Sequence, residues 1–115
     1  MDEQNFNYLD DEIVHTVSKD YGFLKYTIAH DHKKYGNYVE LRQIFINQES
    51  RKKGLGKEFV LDLIKIAQGL GIKKIYCRSS ASKEEVFGKF MEAMGFEITI
   101  ESIHGCTTFK FIKNV

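Results

Sequence analysis

At 115 residues and 13.4 kDa, with 43% hydrophobic and 29% charged residues, the chain has the make-up of one soluble globular domain able to bury a core without staples. A formal net charge of +1 offers no field to draw nucleic acid or an anionic membrane, no apolar run approaches membrane-spanning length, and the polar start Met1-Asp2-Glu3-Gln4 is unlike a signal peptide, so a cytoplasmic protein is expected. Two cysteines, Cys77 and Cys106, make no disulfide framework, and four histidines show no ligand spacing beyond His30-x-His32, so no metal is expected.

Residues 1–11 are polar with Phe6, Tyr8 and Leu9 interspersed, fitting a short strand or a loosely held tail. Glu12 to Ser18 is β-branched, Phe23 to His30 is apolar, and Lys19-Asp20-Tyr21-Gly22 between them has turn chemistry, which predicts a hairpin. A helix over 10–20, with Ile13, Val14 and Val17 on one face, is the alternative. Asp31 to Asn37 reads as a loop. Tyr38 to Ile46 reads as a central strand, with Glu40, Arg42, Ile44 and Ile46 on one face and Val39, Leu41, Gln43 and Phe45 on the other.

After that strand come Arg51-Lys52-Lys53-Gly54-Leu55-Gly56-Lys57, and an amphipathic helix is expected from 54 to 68, with Phe59, Val60, Leu63, Ile64 and Ala67 inward. A helix N-terminus has unpaired N–H groups and a positive dipole end, so it favours an anion. Gly54 and Gly56 would let a ligand's phosphates approach the backbone. Arg51, Lys52, Lys53 and Lys57 crowd the same end, where uncompensated cations cost about 0.3–1 kcal/mol each. A nucleotide P-loop is excluded, because one residue separates the glycines and Glu58 follows Lys57. A dinucleotide fingerprint is excluded because Phe59 stands where its third glycine belongs.

Gly69 and Gly71 stop the helix, and Lys73 to Arg78 reads as a strand, so 38–78 should form a right-handed parallel crossover. Ser79 to Lys83 is a polar loop, and Ser82-x-x-Glu85 reads as a capping box opening a helix that carries Val86, Phe87, Phe90 and Met94 and ends at Gly95, with the Phe and Met residues of 86–96 read as core packing. Phe96 to Glu101 and Cys106 to Ile112 read as a final antiparallel pair joined by Ser102-Ile103-His104-Gly105.

Arg51-x-x-Gly54-x-Gly56 after a strand resembles the coenzyme A signature of the GNAT superfamily of N-acetyltransferases. Phe90, Gly95 and Phe96 match that family's second signature, Phe-Tyr-x-Lys-x-Gly-Phe, and together the resemblance covers about 12–112. It implies one α/β domain over 1–115: a mixed twisted sheet with a central parallel pair splayed around the cofactor and helices on both faces. It also implies acetyl-CoA as co-substrate, its pyrophosphate on Arg51, Lys52, Lys53, Gly54, Leu55, Gly56 and Lys57 and its pantetheine arm along Ile44, Phe45 and Ile46. Glu40 stands where the histone-acetyltransferase branch carries its general base, and is otherwise a surface residue pairing with Arg42 or Lys25. Met91 replaces the tyrosine that often protonates the departing thiolate; Tyr76, Cys106, Ser80 or water are the substitutes. Arg78 reads as solvated or as a contact for the 3′-phosphate of CoA, and Cys77 and Cys106 as reduced core thiols on neighbouring strands.

The expected activity is transfer of an acetyl group to a primary amine of a protein or small molecule. Only 50 residues precede Arg51, which suggests an open acceptor groove, or one completed by a second subunit in a homodimer. The alternatives are a CoA-binding or protein-interaction module without turnover, and a nucleic-acid-associated protein, for which net +1 is poor support.

Overall fold

The computed structural model describes residues 13–33, 36–79 and 85–115. Turn chemistry at Asp20-Tyr21 prevails over the helical alternative: β1 (His15–Lys19) runs antiparallel to β2 (Gly22–His32), with Val17 opposite Leu24 and Lys19 opposite Gly22. Residues 1–11 lie outside the described segments. β2 continues antiparallel to β3 (Gly36–Ile46), so Asp31, His32, Gly36 and Asn37 of the expected loop are strand, and residues 34 and 35 lie outside the described segments.

The alternation predicted for β3 breaks. Lys25 faces Gln43 but Tyr26 faces Leu41, so Arg42 is an extra residue in β3, a β-bulge that shifts the pleat by one position. Directly opposed residues share a face. Val39, Leu41, Ile44 and Ile46 therefore stand on the face of Leu24 and Ile28, while Glu40, Gln43 and Phe45 share the other with Thr27, Lys25 and Phe23. Ile44 and Ile46 pack against the core instead of pointing with Glu40.

β3 leads through a short 3-10 turn (Gln48–Ser50) into α1 (Leu55–Gly69), then into β4 (Lys74–Ser79), which is parallel to β3. α2 (Val86–Ala93) follows, then β5 (Glu97–Ile103) and β6 (Cys106–Asn114). The six strands lie in the order β1-β2-β3-β4-β6-β5. The β5–β6 connection is tighter than expected: Ile103 pairs with Cys106, and His104 and Gly105 alone make the turn, both at positive φ (52° and 80°).

Both helices end on the same device. After α1, Gly71 N–H bonds to Gln68 C=O and Ile72 N–H to Ala67 C=O; after α2, Gly95 bonds to Glu92 and Phe96 to Met91 in the same pattern. Gly71 (φ 72°) and Gly95 (φ 89°) take the left-handed position that this closure needs, and Ile72 and Phe96 fold back into the core. The Gly95-Phe96 part of the second signature is thus a helix stop. The start of α2 differs from its prediction: Glu85 is the N-cap and makes no side-chain cap bond, so it is not the third residue of a capping box. Ser82 lies outside the described residues.

One core cluster joins Phe59, Val60, Leu63 and Ala67 of α1 and Met91 of α2 to Leu24, Val39, Leu41, Ile75, Cys77 and Phe111 of the sheet. Full burial of a large apolar side chain is worth roughly 1.5–3 kcal/mol, so this face carries most of the hydrophobic stabilisation. Cys77 opposes Phe111 and Val39 opposes Ile75, so these sheet residues share one face, and both described helices pack on it. Cover of the second face, expected from helices, is supplied by no helix among the described residues.

Candidate functional site

Among the described residues, Val39↔Ile75 and Glu40↔Tyr76 are the only pairs between β3 and β4. Beyond Glu40, β3 runs on to Ile46 and β4 to Ser79 without pairing to each other, so the sheet forks. The fork leaves β3 a row of backbone groups with no strand partner on that side, available to an extended ligand.

A cavity of about 630 Å³ lies on the helix side of the fork. β3 contributes Ile44, Phe45 and Ile46, the loop and α1 contribute Arg51, Lys52, Gly54, Leu55 and Gly56, and α2 contributes Val86, Phe87 and Phe90. Eight of the ten residues predicted for the cofactor are brought together here. Lys53 and Lys57 are exposed and line no part of it. Lys57 falls on the outward stripe of α1 with Leu61 and Lys65.

The loop is shaped by two left-handed residues, Lys52 (φ 64°) and Gly54 (φ 75°), the latter the N-cap of α1. Arg51 braces it: its Nε donates to the Ile46 carbonyl at 2.9 Å, and its guanidinium lies over the Phe45 ring at 5.9 Å. Gly56 is different. It is inside the first turn of α1 with no positive φ, and a Cβ there would meet only the Phe90 ring, at 3.4 Å. The fold therefore has no need of glycine at this position, although glycine costs a helix about 0.5–1 kcal/mol relative to alanine.

The spacing of Phe87 and Phe90 alone reads as core packing. Val86 is 88% exposed at the cavity, and the two phenylalanines lie between cavity and core. A helical stripe looks the same in sequence whether it seals a core or floors a cavity, so no signal there separates the two.

A smaller cavity of about 230 Å³ occupies the fork itself, lined by Leu41, Arg42, Gln43 and Ile44 on one arm, Cys77, Arg78 and Ser79 on the other, and Phe87. Leu41, Ile44 and Cys77 belong to the helix face, whereas Gln43 and Arg78 belong to the opposite face, so residues of both faces line the gap. Ile44 and Phe87 line both cavities.

Glu40 stands at the crotch of the fork on the open face, half-buried, 3.5 Å from Arg42. Arg42 was one of two partners foreseen for it. Tyr76 is buried beside it and accepts a hydrogen bond from Arg78 Nε at 3.2 Å. Cys77 is buried, and desolvation, with the Glu40 charge adding to it, pushes its thiol up to about 12. Cys106 is exposed at the start of β6, so only one of the two thiols is in the core. Met91 is fully buried and lines neither cavity. Ser80 lies outside the described residues. No group of three or more metal-ligating side chains occurs among the described residues.

A cavity against a forked parallel pair, opened by a helix N-terminus, is the geometry that the two signatures implied. Residues 6–96 match the model of the acetyltransferase (GNAT) family. The chain belongs to that family. No curated protein matches it. Among solved structures, a GNAT-like fold is shared with an acetyltransferase from Bacillus subtilis in complex with CoA (TM-score 0.67, 21% identity, covering 94% of this chain and 80% of that one). PaiA N-acetyltransferase from Thermoplasma acidophilum in complex with coenzyme A is similar at TM-score 0.65 and 23% identity, over 83% of this chain. NAA60 from Arabidopsis thaliana in complex with a bisubstrate analogue is similar at TM-score 0.67 and 16% identity, over 82% of this chain. This GNAT chain spans 64% of the NAA60 chain and 54% of the PaiA chain.

Proposed function

We propose that this protein is an N-acetyltransferase that carries an acetyl group from acetyl-CoA to a primary amine within a ternary complex. The fork at Glu40 and Tyr76 carries this reading, because the strands part there, with a ligand-sized cavity on the helix face and a carboxylate on the open face. CoA in the similar Bacillus and Thermoplasma structures and a bisubstrate analogue in the NAA60 structure support it.

The N–H groups at the start of α1, with Lys52 and Gly54, would hold the pyrophosphate, and Gly56 would give it clearance. Ile44, Phe45 and Ile46 would align the pantetheine arm along the side of β3 that β4 leaves uncovered, where N–H groups would also polarise the thioester carbonyl. An alkyl amine is mostly protonated at neutral pH, with a pKa near about 10.4. Glu40, directly or through one water, would take that proton. The amine nitrogen would then bond to the carbonyl carbon, the C–S bond would break, and the thiolate would leave on the helix side. Cys77 lines that exit but holds its proton too tightly to give it to a thiolate. Met91 supplies no acid either, which leaves Tyr76, Cys106, Ser80 or water.

The buried Met91 also favours a second reading, a CoA-binding module without turnover. Thermal unfolding with and without acetyl-CoA, for wild type and Gly56→Glu, tests the site: a ligand at about 100 times its Kd adds roughly 2.7 kcal/mol. No stabilisation of the wild type would overturn both readings. Stabilisation without turnover of any amine would leave the second.

A further inference from the structure

On the open face of the fork, two cations face each other directly: Arg78 of β4 is the register partner of Lys110 of β6. Like charges opposed across strands are destabilising. Lys110 is compensated, with its Nζ 2.7 Å from Glu101. Glu40 is likewise matched, 3.5 Å from Arg42. The fields of Glu40 and Glu101 reach Arg78, but each carboxylate has its own cation. Arg78 has instead a neutral phenol. Its Nε donates to Tyr76 Oη at 3.2 Å and its guanidinium lies over the same ring at 5.8 Å. Among the described residues, no carboxylate lies within ion-pair distance of it. The Tyr76 contacts fix the plane of the guanidinium and use one nitrogen, leaving the fork's paired terminal nitrogens in the geometry that a carboxylate accepts. Arg42 and Gln43 line the same gap.

We infer that Arg78 is a specificity-determining residue that binds a carboxylate carried into the fork by one of the two reactants. This deepens the acetyltransferase reading and rests on it. The carboxylate belongs either to the acceptor, as in an amino acid whose amine reaches Glu40, or to the acyl group, as in a dicarboxylic acyl-CoA. A cationic mouth also disfavours polyamines, whose remaining charges would meet Arg78 without compensation.

Equilibrium binding distinguishes the sources without needing turnover. One arm measures the affinity of the protein, with and without saturating CoA, for free amino acids against their carboxamides. The other compares succinyl-CoA with acetyl-CoA. The expected result is a preference of about 10- to 100-fold for the carboxylate in one arm. Arg78→Gln should erase it and Arg78→Lys should keep part of it, while Lys73→Ala, an exposed position outside both cavities, should leave it intact. A preference in the first arm assigns the carboxylate to the acceptor, and in the second to the acyl group. No preference in either arm, or one that survives Arg78→Gln, overturns the inference, even where acetyl-CoA binds. Failure of acetyl-CoA to bind at all counts against the acetyltransferase reading instead, and the amino-acid arm without CoA still reports on Arg78.

Discussion

Glu40 and Tyr76 are the last residues at which β3 and β4 face one another, and the sheet opens immediately beyond them. That places Glu40 on the open face where the gap between the strands begins, within reach, on the acetyltransferase reading, of a thioester lying on the helix face. Glu40→Gln keeps the size and loses the base. It should lower kcat by about 10²- to 10⁴-fold and leave the unfolding shift produced by acetyl-CoA unchanged. Steady-state rates beside thermal unfolding check this; undiminished turnover in the variant would remove Glu40 from the chemistry.

Gly56 separates folding from binding. Since only the Phe90 ring approaches its Cβ position, Gly56→Ala should stabilise the ligand-free protein by up to about 1 kcal/mol. The added methyl stands where phosphates would approach the backbone, so the same variant should bind acetyl-CoA more weakly. A variant that is more stable and binds equally well would show that this clearance is not used.

Gly22 is a glycine of the opposite kind. A Cβ there would lie 1.9 Å from the Phe45 carbonyl oxygen, a backbone atom that cannot swing aside. Gly22→Ala should destabilise the protein by about 2–3 kcal/mol, read as a lowered urea midpoint. The turn before it also docks on α1's side of the molecule, through Asn47 N–H to Tyr21 C=O at 2.8 Å and Lys19 to Asp62 at 2.7 Å, so cavity and hairpin should loosen together.

The two thiols should react very differently. Exposed Cys106 should be alkylated by iodoacetamide within the native protein, and buried Cys77 only on unfolding, as peptide mass analysis would report. Burial also links Cys77 to pH. Its thiol is held up to about 12 from an ordinary 9.0, so the folded state keeps a proton that the unfolded chain loses. This contribution is fully present below about pH 9 and is lost as pH rises through about 12. Cys77→Ser should flatten that part of the stability profile; an unchanged slope between pH 9 and 12 would contradict it.

Much of this site was legible because its parts are local. Arg51 to Gly56 carry their own meaning: two glycines one apart at a helix start, after an apolar strand. The hairpin at Asp20-Tyr21 and the stops at Gly71 and Gly95 are likewise matters of neighbouring residues. What escaped was set by register and packing. Nothing in Tyr38 to Ile46 announces that Arg42 is extra, yet that residue alone moves Ile44 and Ile46 to the face opposite Glu40. Lys53 and Lys57 belong to the motif by sequence, but helical geometry turns Lys57 outward. Arg78 opposite Lys110 depends on the pairing of β4 with a strand almost thirty residues further along.

The gap in the sheet also constrains the order of events. Its lining joins Cys77 and Phe87 of the helix face to Gln43 and Arg78 of the open face, so on the acetyltransferase reading the donor and the acceptor would approach from opposite sides. Neither would then need to arrive first to build the other's site, and spent CoA would depart without crossing the modified amine. Random addition with intersecting initial-velocity lines is the kinetic signature expected of that arrangement, and product inhibition by CoA should be competitive with acetyl-CoA alone.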